Sequence, residues 1–373
     1  MISRQLFELI EKKTVKKAVI ILGPRQTGKT TLINRLVSGK KEGFLFLNGD
    51  DPFIRQELTN ANTEKIKQVI GKKTVVFIDE AQRIQNIGLT LKIITDTMTH
   101  VQLYVTGSSA FDLNHEVKEP LTGRKWEFNL YPISWKEFHD HVGFIQAKQE
   151  LERRIIYGMY PEVINQKEDE IDVLTQLTSS YLYKDVLSIA GIRKPESIEK
   201  LLKALAFQIG NEVSYNELSN LIGIDKNTVN TYLDVLEKTY VIFRLQPFSR
   251  NLRNEISTTR KIYFYDTGLR NSLISNFSPL NLRQDKGALW ENFVISERKK
   301  QNHYQRRHVN SYFWRTKQQQ EIDYLEESDG MIRAFEFKAS ETKKVRQPKT
   351  FKNAYPDSSF EIISMQEFHD FIV

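Results

Sequence analysis

The feature that most constrains this chain is an octapeptide near its beginning, Gly23-Pro24-Arg25-Gln26-Thr27-Gly28-Lys29-Thr30. An apolar run at residues 17–22 precedes it and predicts a buried parallel strand, and a helical pattern follows at residues 31–36. The pattern G-x-x-x-x-G-K-[ST] between a strand and a helix is typical of a phosphate-binding loop. Its glycines let the backbone approach phosphate oxygens, and N–H groups at the helix N-terminus face the anion. The sequence therefore predicts a nucleotide site at this turn.

A second apolar segment, at residues 74–78, predicts a strand that ends in Asp79 and Glu80. In a phosphate-loop site Lys29 contacts the β- and γ-phosphates, while Thr30 and Asp79 hold Mg²⁺. Glu80 is the candidate general base that polarises the attacking water. An acidic pair after a strand can instead cap a helix. The order of the two motifs favours binding and hydrolysis of ATP with Mg²⁺.

Three more apolar segments, at residues 44–47, 101–105 and 126–130, complete an α/β fold with the parallel sheet of a P-loop NTPase. Ligands of such sheets bind beyond the carboxyl ends of the strands. Ser108 follows one strand end and is a candidate sensor of the γ-phosphate, with a plain turn as the alternative. The predicted nucleotide contacts are Gly23, Pro24, Arg25, Gln26, Thr27, Gly28, Lys29, Thr30, Thr31, Asp79 and Ser108.

Arg124 precedes the last of these strands and is a candidate catalytic residue. An arginine here can stabilise transition-state charge in its own subunit or in a neighbouring subunit of a homo-oligomer. An ordinary surface arginine is the alternative. Its role therefore depends on where the fold places it.

Composition excludes several classes of protein. The 373 residues contain no cysteine, so disulfides and thiolate metal sites are excluded. No apolar run reaches the length of a membrane span, and the first residues lack the pattern of a signal peptide. The formal net charge of +7 permits an anionic partner such as DNA without requiring one. We expect a cytoplasmic protein without a membrane partner.

A series of short motifs runs along most of the chain, at residues 23–30, 47–52, 77–82, 106–109, 121–124, 131–138, 157–162 and 265–270. With these motifs the chain resembles the prokaryotic AAA-type, archaeal-ATPase-like P-loop ATPases that carry a C-terminal domain of unknown function. The resemblance implies an ATPase core followed by winged-helix and restriction-endonuclease-like parts. One departure is Met159, where members of this family often have glycine.

The middle of the chain predicts two helical parts. Residues 135–193 have helical spacing and predict a lid on the nucleotide domain. Helices from Pro195, at residues 217–223 and from Lys226, followed by strands at residues 241–245 and 261–265, form a winged-helix pattern. The last of these helices would present four polar side chains to DNA, with protein interaction or packing as the alternative. Those side chains are Lys226, Asn227, Asn230 and Thr231. Four basic residues lie between or beside the wing strands, namely Arg250, Arg253, Arg260 and Lys261.

The last segment carries a second candidate site. Asp323 and the triplet Glu336-x-Lys338 lie on two predicted neighbouring strands and look like the D…E-x-K signature of restriction-endonuclease-like nucleases. Carboxylates so placed can share Mg²⁺ ions, and Glu291 on the preceding helix can join them. Alternation puts Lys338 on the face of Glu336, where it can activate water. The alternatives are a surface hairpin of alternating charge and a nuclease fold retained only for binding.

A basic tract before these strands is a candidate path for a nucleic-acid backbone, with a solvated basic face as its alternative. The tract comprises Arg298, Lys299 and Lys300, with Tyr304, Arg306 and Arg307. Together these features predict an ATPase whose nucleotide state controls a nucleic-acid-directed C-terminal region, with nuclease activity as a candidate. The alternative is an ATP-dependent regulatory switch or scaffold with an inactive nuclease-like fold. The predicted divisions are residues 1–134 (ATPase core), 135–193 (helical lid), 194–275 (winged helix) and 276–373 (restriction-endonuclease-like domain).

Overall fold

The structure, a computed structural model, describes residues 1–13, 17–39, 43–107, 121–182, 186, 195–249, 259–339 and 346–373. The chain divides into two compact units by its internal contacts. The first comprises Met1–Pro132 and Lys238–Tyr240, and the second comprises Ile133–Glu237 and Val241–Val373. The lid, winged-helix and nuclease-like segments predicted from the sequence therefore fall almost entirely in the second unit.

The first unit is built on a five-stranded sheet in which every neighbouring pair is parallel, in the order β2-β3-β4-β1-β5. This confirms the predicted α/β fold. β1 and β3 are buried along their whole length, as expected for parallel strands covered on both faces. The strands are β1 (Ala18–Leu22), β2 (Phe44–Asn48), β3 (Val75–Asp79), β4 (Gln102–Gly107) and β5 (Lys125–Asn129).

Short helices connect these strands, and polar side chains cap two of them. The Asp51 carboxylate accepts the Phe53 N–H at the start of α3, and the Asn62 side chain accepts the Lys65 N–H at the start of α4. The helices are α1 (Leu6–Glu11), α2 (Lys29–Leu36), α3 (Pro52–Leu58), α4 (Thr63–Ile70) and α5 (Ile87–Thr97), with a 3₁₀ turn at Ala81–Arg83.

The second unit contains a larger set of helices. At the start of α6, Ser134 and Glu137 form a reciprocal capping box. The helices are α6 (Trp135–Val142), α7 (Phe144–Tyr157), α8 (Pro161–Asn165), α9 (Glu170–Gln176), α10 (Pro195–Phe207), α11 (Tyr215–Ile222), α12 (Lys226–Lys238), α13 (Thr267–Leu273), α14 (Lys286–Tyr304), α15 (Lys349–Ala354) and α16 (His369–Ile372), with a π-helical turn at Leu177–Leu182 and a 3₁₀ turn at Leu280–Leu282.

The second unit also contains a mixed seven-stranded sheet, in the order β12-β11-β10-β9-β7-β8-β6. β7 pairs with β9 in parallel, so strands from the predicted winged-helix segment continue into the predicted nuclease-like segment. The division predicted at residue 276 therefore does not separate two sheets. The strands are β6 (Glu212–Ser214), β7 (Ile242–Pro247), β8 (Thr259–Phe264), β9 (Asn310–Arg315), β10 (Glu321–Ser328), β11 (Met331–Lys338) and β12 (Ser359–Ser364).

Helix α14 packs charged side chains inside the second unit. The Arg298 guanidinium donates to both oxygens of Glu326 at 2.8 Å, and Lys300 donates to Glu297 at 2.6 Å. Arg298 and Lys300 are buried, so the structure corrects the prediction for these two residues. Arg306 and Arg307 of the same tract are exposed, and their contact with a nucleic-acid backbone stays a prediction. Within the described ranges, none of the helices combines the length and apolar character needed to cross a membrane.

Candidate functional site

The predicted phosphate loop lies between the end of β1 and the start of α2. The Lys29 ammonium is 6% exposed and donates to the carbonyl oxygens of Gly23 and Pro24, at 2.8 Å each. Lys29 is also the first residue of α2, whose N-terminal N–H groups have no partner within the helix. The loop therefore concentrates a buried positive charge and helix N–H groups at one turn.

Two positions explain why glycine occurs in this loop. A Cβ at Gly23 would lie 2.1 Å from the carbonyl oxygen of Leu130, so a larger residue would displace the backbone. Gly28 has a φ of 87°, in the left-handed region that favours glycine, and it is the N-cap of α2. Gln26 also has a positive φ, of 60°. Close backbone packing at Gly23 and the positive φ angles of Gln26 and Gly28 therefore determine the conformation of the loop.

Further hydrogen bonds hold the loop in this shape. The Thr27 hydroxyl donates to the carbonyl oxygen of Pro24 at 2.9 Å. The Arg4 guanidinium donates to the carbonyl oxygens of Thr27 and Tyr131, at 2.6 Å each, and Arg4 is buried. Arg4 was not among the predicted site residues, because nothing near it in the sequence indicates that it reaches the loop.

The two predicted magnesium ligands are in direct contact. The Thr30 hydroxyl donates to Oδ2 of Asp79 at 2.8 Å, and Thr106 donates to Oδ1 of the same carboxylate. Thr106 also accepts the Glu80 N–H at 3.2 Å. It lies on β4, between β3 and the strand that leads into the loop. Thr106 is a positioning residue that the sequence argument passed over in favour of Ser108, which lies outside the described residues.

Glu80 lies directly after β3 in a left-handed backbone conformation, with φ 49° and ψ 43°. Such a conformation in a residue other than glycine carries strain of about 1 kcal/mol and is concentrated at functional sites. Gln82 Nε2 donates to Oε2 of Glu80 at 2.5 Å. The sharp turn and this hydrogen bond hold a half-buried carboxylate next to Asp79 in the chain.

This donor set fits a magnesium nucleotide. A hydroxyl and a carboxylate oxygen are ligands that Mg²⁺ prefers, and Thr30 and Asp79 already meet at 2.8 Å. The buried ammonium and the N-terminus of α2 suit the phosphate groups. Arg25 is half-buried in the loop, and Thr31 is exposed in the first turn of α2.

The structure corrects the prediction that Arg124 acts on the nucleotide of its own subunit. Its carbonyl oxygen accepts the Ala18 N–H at 2.9 Å, at the amino ends of β1 and β5. The phosphate loop follows the carboxyl end of β1, so a strand length of roughly 15 Å separates Arg124 from it. The Arg124 guanidinium donates to Asp96 at 2.5 Å. A role at a neighbouring subunit remains a prediction.

The residues of the predicted nuclease signature lie side by side in the second unit. β10 and β11 pair in antiparallel fashion with Tyr324 opposite Phe335, which places Asp323 next to Glu336. The Phe337 N–H donates to Oδ2 of Asp323 at 2.8 Å. Lys338 donates to Oε1 of Glu336 at 2.7 Å. The predicted neighbourhood of these three side chains is therefore present.

A lysine that the nuclease signature did not include enters the same group. Lys261 on β8 donates to Oε1 of Glu291 at 3.2 Å and lies 2.5 Å from Oε1 of Glu321. Its side chain is 2% exposed. Tyr263 donates its hydroxyl to the same oxygen of Glu291 at 2.5 Å. The sequence had placed Lys261 beside the wing as a basic residue, and the structure buries it instead. We call this group the charge centre: Lys261, Glu291, Glu321, Asp323, Glu336 and Lys338.

Burial and mutual charge shift the titration of these groups. Burial raises the pKa of Glu291 to about 7, while Lys261 opposes this rise and Asp323 adds to it. Burial also raises the pKa of Asp323 and of Glu336. For Lys261, burial lowers the pKa, but the charges of Glu291 and Glu321 outweigh it, so the pKa of this ammonium is raised.

The charge centre does not form a ready set of metal ligands. In the part of the chain that the structure describes, no group of three or more histidine, aspartate or glutamate side chains is arranged to hold a metal ion. The predicted ligands Glu291 and Glu336 each direct an oxygen at a lysine. The third, Asp323, accepts a backbone N–H. Hydrogen bonds within the protein therefore engage one oxygen of each of these three carboxylates.

The polar face predicted for α12 is present. The side chains of Lys226, Asn227, Asn230 and Thr231 are exposed. Asp234 and Glu237 lie further along the same face of α12. They pair with Arg244 of β7, at 2.6 and 2.5 Å. Of the basic residues predicted beside the wing, Arg250 and Arg253 lie outside the described residues.

Comparison with known proteins assigns families to three parts of the chain. Residues 15–139 match an AAA domain, residues 148–281 a domain of unknown function (DUF8612), and residues 286–367 a domain of unknown function (DUF4143). A segment similar to an AAA domain is thus followed by a segment similar to a domain of unknown function, in the order that the sequence motifs implied.

The chain is similar, at low identity, to relatives that align with most of its length. An uncharacterized protein of Methanocaldococcus jannaschii is 24% identical over 381 residues, which cover 96% of this chain and 83% of the relative. An uncharacterized protein of Mycobacterium tuberculosis is 28% identical over 333 residues, covering 87% and 70%. Among solved structures, the RuvB Holliday junction branch migration motor of Thermotoga maritima is 17% identical with a TM-score of 0.33, covering 65% of this chain and 90% of that chain.

Proposed function

We propose that this chain binds ATP with Mg²⁺ in its first unit and hydrolyses it. The observation that carries the proposal is the contact between Thr30 and Asp79 at 2.8 Å, beside the buried ammonium of Lys29. The match of residues 15–139 to an AAA domain supports it. When bound, the magnesium nucleotide supplies the phosphoryl group that is transferred to water.

The protein residues divide the work of this reaction. Lys29 would exchange its hydrogen bonds with the loop carbonyls for bonds to phosphate oxygens, and the helix N-terminus would add further donors. Asp79, held by Thr106, orients the hydroxyl of Thr30. Glu80 accepts a proton from the attacking water, and its left-handed backbone fixes the direction of its side chain.

Replacement of Glu80 by glutamine tests this assignment. Glu80→Gln keeps the shape of the side chain but removes the base, so we expect ATP turnover to fall about 100-fold or more while nucleotide binding persists. The exposed Glu8 on α1 provides a matched control, because Glu8→Gln should leave both quantities unchanged. Absence of Mg²⁺-dependent turnover in the unaltered chain would refute the proposal.

We further propose that the nucleotide state controls a nucleic-acid-directed second unit in a cytoplasmic protein. The exposed polar face of α12 and the net charge of +7 support this direction. DNA binding measured at low salt, without nucleotide and with ADP or ATP, tests it. Lys226→Glu with Asn230→Asp should weaken binding, whereas Lys203→Glu on α10 should have a smaller effect. If no DNA binds in any nucleotide state, this part fails.

A regulatory switch or scaffold is the second candidate, and the burial of Lys261 among the carboxylates favours it. In that case ATP controls contacts with protein partners and the nuclease-like fold is inactive. Plasmid and linear DNA incubated with Mg²⁺ or Mn²⁺ separate the candidates. Cleavage that disappears in Asp323→Ala would establish a nuclease, and intact DNA with intact ATP turnover would support the switch.

A further inference from the structure

The charge centre would have to supply the ligands of any D…E-x-K metal site in this chain. Its four carboxylates and two ammonium groups come from β8, α14, β10 and β11. The acidic residues alone satisfy the sequence signature, so the signature by itself predicts a magnesium site. Whether the centre can take up a metal depends on which oxygens remain available and on which charge already occupies it.

One oxygen of each of three carboxylates in the charge centre already accepts hydrogen bonds. Oε1 of Glu291 accepts hydrogen bonds from both Lys261 and Tyr263. Oε1 of Glu336 accepts one from Lys338, and Oδ2 of Asp323 accepts the Phe337 N–H. A divalent ion needs several oxygen lone pairs directed at one point. Within the described ranges, no three acidic or histidine side chains provide such a point.

A cation already stands in the centre. The Lys261 ammonium is buried, contacts Glu291 at 3.2 Å and Glu321 at 2.5 Å, and attracts Asp323 electrostatically. It thereby neutralises carboxylates that a metal would neutralise. A second cation placed among the same oxygens would be repelled by the ammonium, with little water between them to screen the repulsion.

We propose that Lys261 takes the place of a divalent ion in the charge centre, so that the centre is complete without metal and binds neither Mg²⁺ nor Mn²⁺. Lys261 belongs to β8, and its carboxylate partners belong to α14 and β10, so one ammonium joins the predicted winged-helix and nuclease-like segments. The second unit then acts through binding, without metal-dependent cleavage. This inference concerns the second unit and does not depend on ATP hydrolysis in the first.

Titration of the nucleotide-free, full-length chain with Mn²⁺ tests the proposal, with free Mn²⁺ measured by electron paramagnetic resonance. The unaltered chain and Asp323→Asn should bind the same number of ions. Lys261→Met removes the ammonium but keeps the length of the side chain, and it should gain one Mn²⁺ per chain. That gain should disappear in Lys261→Met with Asp323→Asn. Lys317→Met, at an exposed lysine near the centre in sequence, should gain none.

Two results would overturn the proposal. One is the loss of a bound Mn²⁺ when Asp323→Asn is introduced into the unaltered chain. The other is a Lys261→Met chain that keeps its circular dichroism spectrum and binds no additional ion. If Lys261→Met does not fold, the comparison of the unaltered chain with Asp323→Asn decides alone. Any Mn²⁺ at the first unit cancels in these differences, and a failure of ATP turnover would refute the proposed ATPase without changing the ion count.

Discussion

The nucleotide site of the first unit takes its phosphate loop, with Lys29 and Thr30, from one octapeptide, whereas the charge centre of the second unit draws on four separate elements. In the first, Lys29 is held by carbonyl groups five and six residues away. In the second, Lys261 reaches Glu291 across 30 residues of sequence. The lysine of the first site can be predicted from a contiguous pattern, and the N-terminus of α2 beside it offers N–H donors to a ligand. The second resembles a metal site in its acidic residues, yet a distant lysine changes its chemistry.

A pattern of spaced residues therefore predicts the chemistry of a site only when the fold brings no further charged side chain into that site. Backbone geometry enforces the phosphate loop, because Gly23 and Gly28 occupy positions that a side chain would disturb. The D…E-x-K pattern has no comparable backbone constraint, and the ammonium of Lys261 from another strand lies among its carboxylates.

The first prediction concerns the lysine of the phosphate loop. Lys29→Ala removes the ammonium that the loop holds, so ATP turnover should fall about 100-fold or more and nucleotide binding should weaken. Steady-state turnover and equilibrium binding of a fluorescent ATP analogue measure the two effects. Lys12→Ala, at an exposed lysine after α1, should change neither. Undiminished turnover in Lys29→Ala would place the active site elsewhere.

The second prediction concerns the lysine of the charge centre. Lys261→Met leaves Glu291 and Glu321 without their buried partner, so the free energy of unfolding of the second unit should fall by about 3 kcal/mol. Chemical denaturation measures the change, while ATP binding should persist. The control is Lys203→Met, which breaks an exposed pair with Glu199 and should cost less than about 0.5 kcal/mol. An equal effect of both changes would argue against a special position of Lys261.

The third prediction concerns a network of ion pairs outside the charge centre, formed by Asp285 with Arg270 and Arg283. Asp285 accepts hydrogen bonds from Arg283 at 2.8 Å and Arg270 at 2.5 Å. Burial raises its pKa, but the two arginines outweigh burial and lower the pKa to about 2. A lowered pKa stabilises the fold above the unfolded value near 3.8, and this stabilisation is lost as the pH falls from about 4 to 2.

Asp285→Asn should therefore lower the free energy of unfolding by about 1 kcal/mol at pH 6, allowing for partial exposure of the carboxylate, and by much less at pH 2. Urea denaturation at the two pH values measures the difference. A decrease that is the same at both values would mean that the charge of Asp285 does not contribute.

The fourth prediction is the smallest effect. Arg124 lies at the amino ends of the strands and pairs with Asp96, so Arg124→Ala should change turnover less than about twofold in a dilute chain. Turnover measured across protein concentrations provides the check. A fall of tenfold or more that appears only at high concentration would instead indicate that Arg124 acts on a neighbouring subunit.

Much of the fold could be predicted because its signals are local. The five strands of the first sheet and the three helices of the winged-helix pattern lie close to their predicted positions. The periodicity of apolar residues and the helix caps that predict them depend only on residues close together in the sequence. The juxtaposition of Asp323 and Glu336 was predicted for the same reason, from two short strands and a turn. The prediction that Arg124 acts in its own subunit was wrong because Arg124 lies at the amino ends of β1 and β5, whereas the phosphate loop follows the carboxyl end of β1. The local motif does not indicate at which end of the sheet it lies.

Local residue patterns are sufficient to predict the phosphate loop, its lysine and the acidic pair after β3, because each lies within a few consecutive residues next to a strand. The contact of Arg4 with the loop, and with Tyr131 at 127 residues' distance along the chain, exists only in the tertiary structure. The same holds for the contact of Thr106 with the carboxylate of Asp79. The tertiary structure alone put Lys261 among the carboxylates of the charge centre. Contacts between residues so far apart depend on how strands and helices are ordered and packed, and no local pattern of residues records that order.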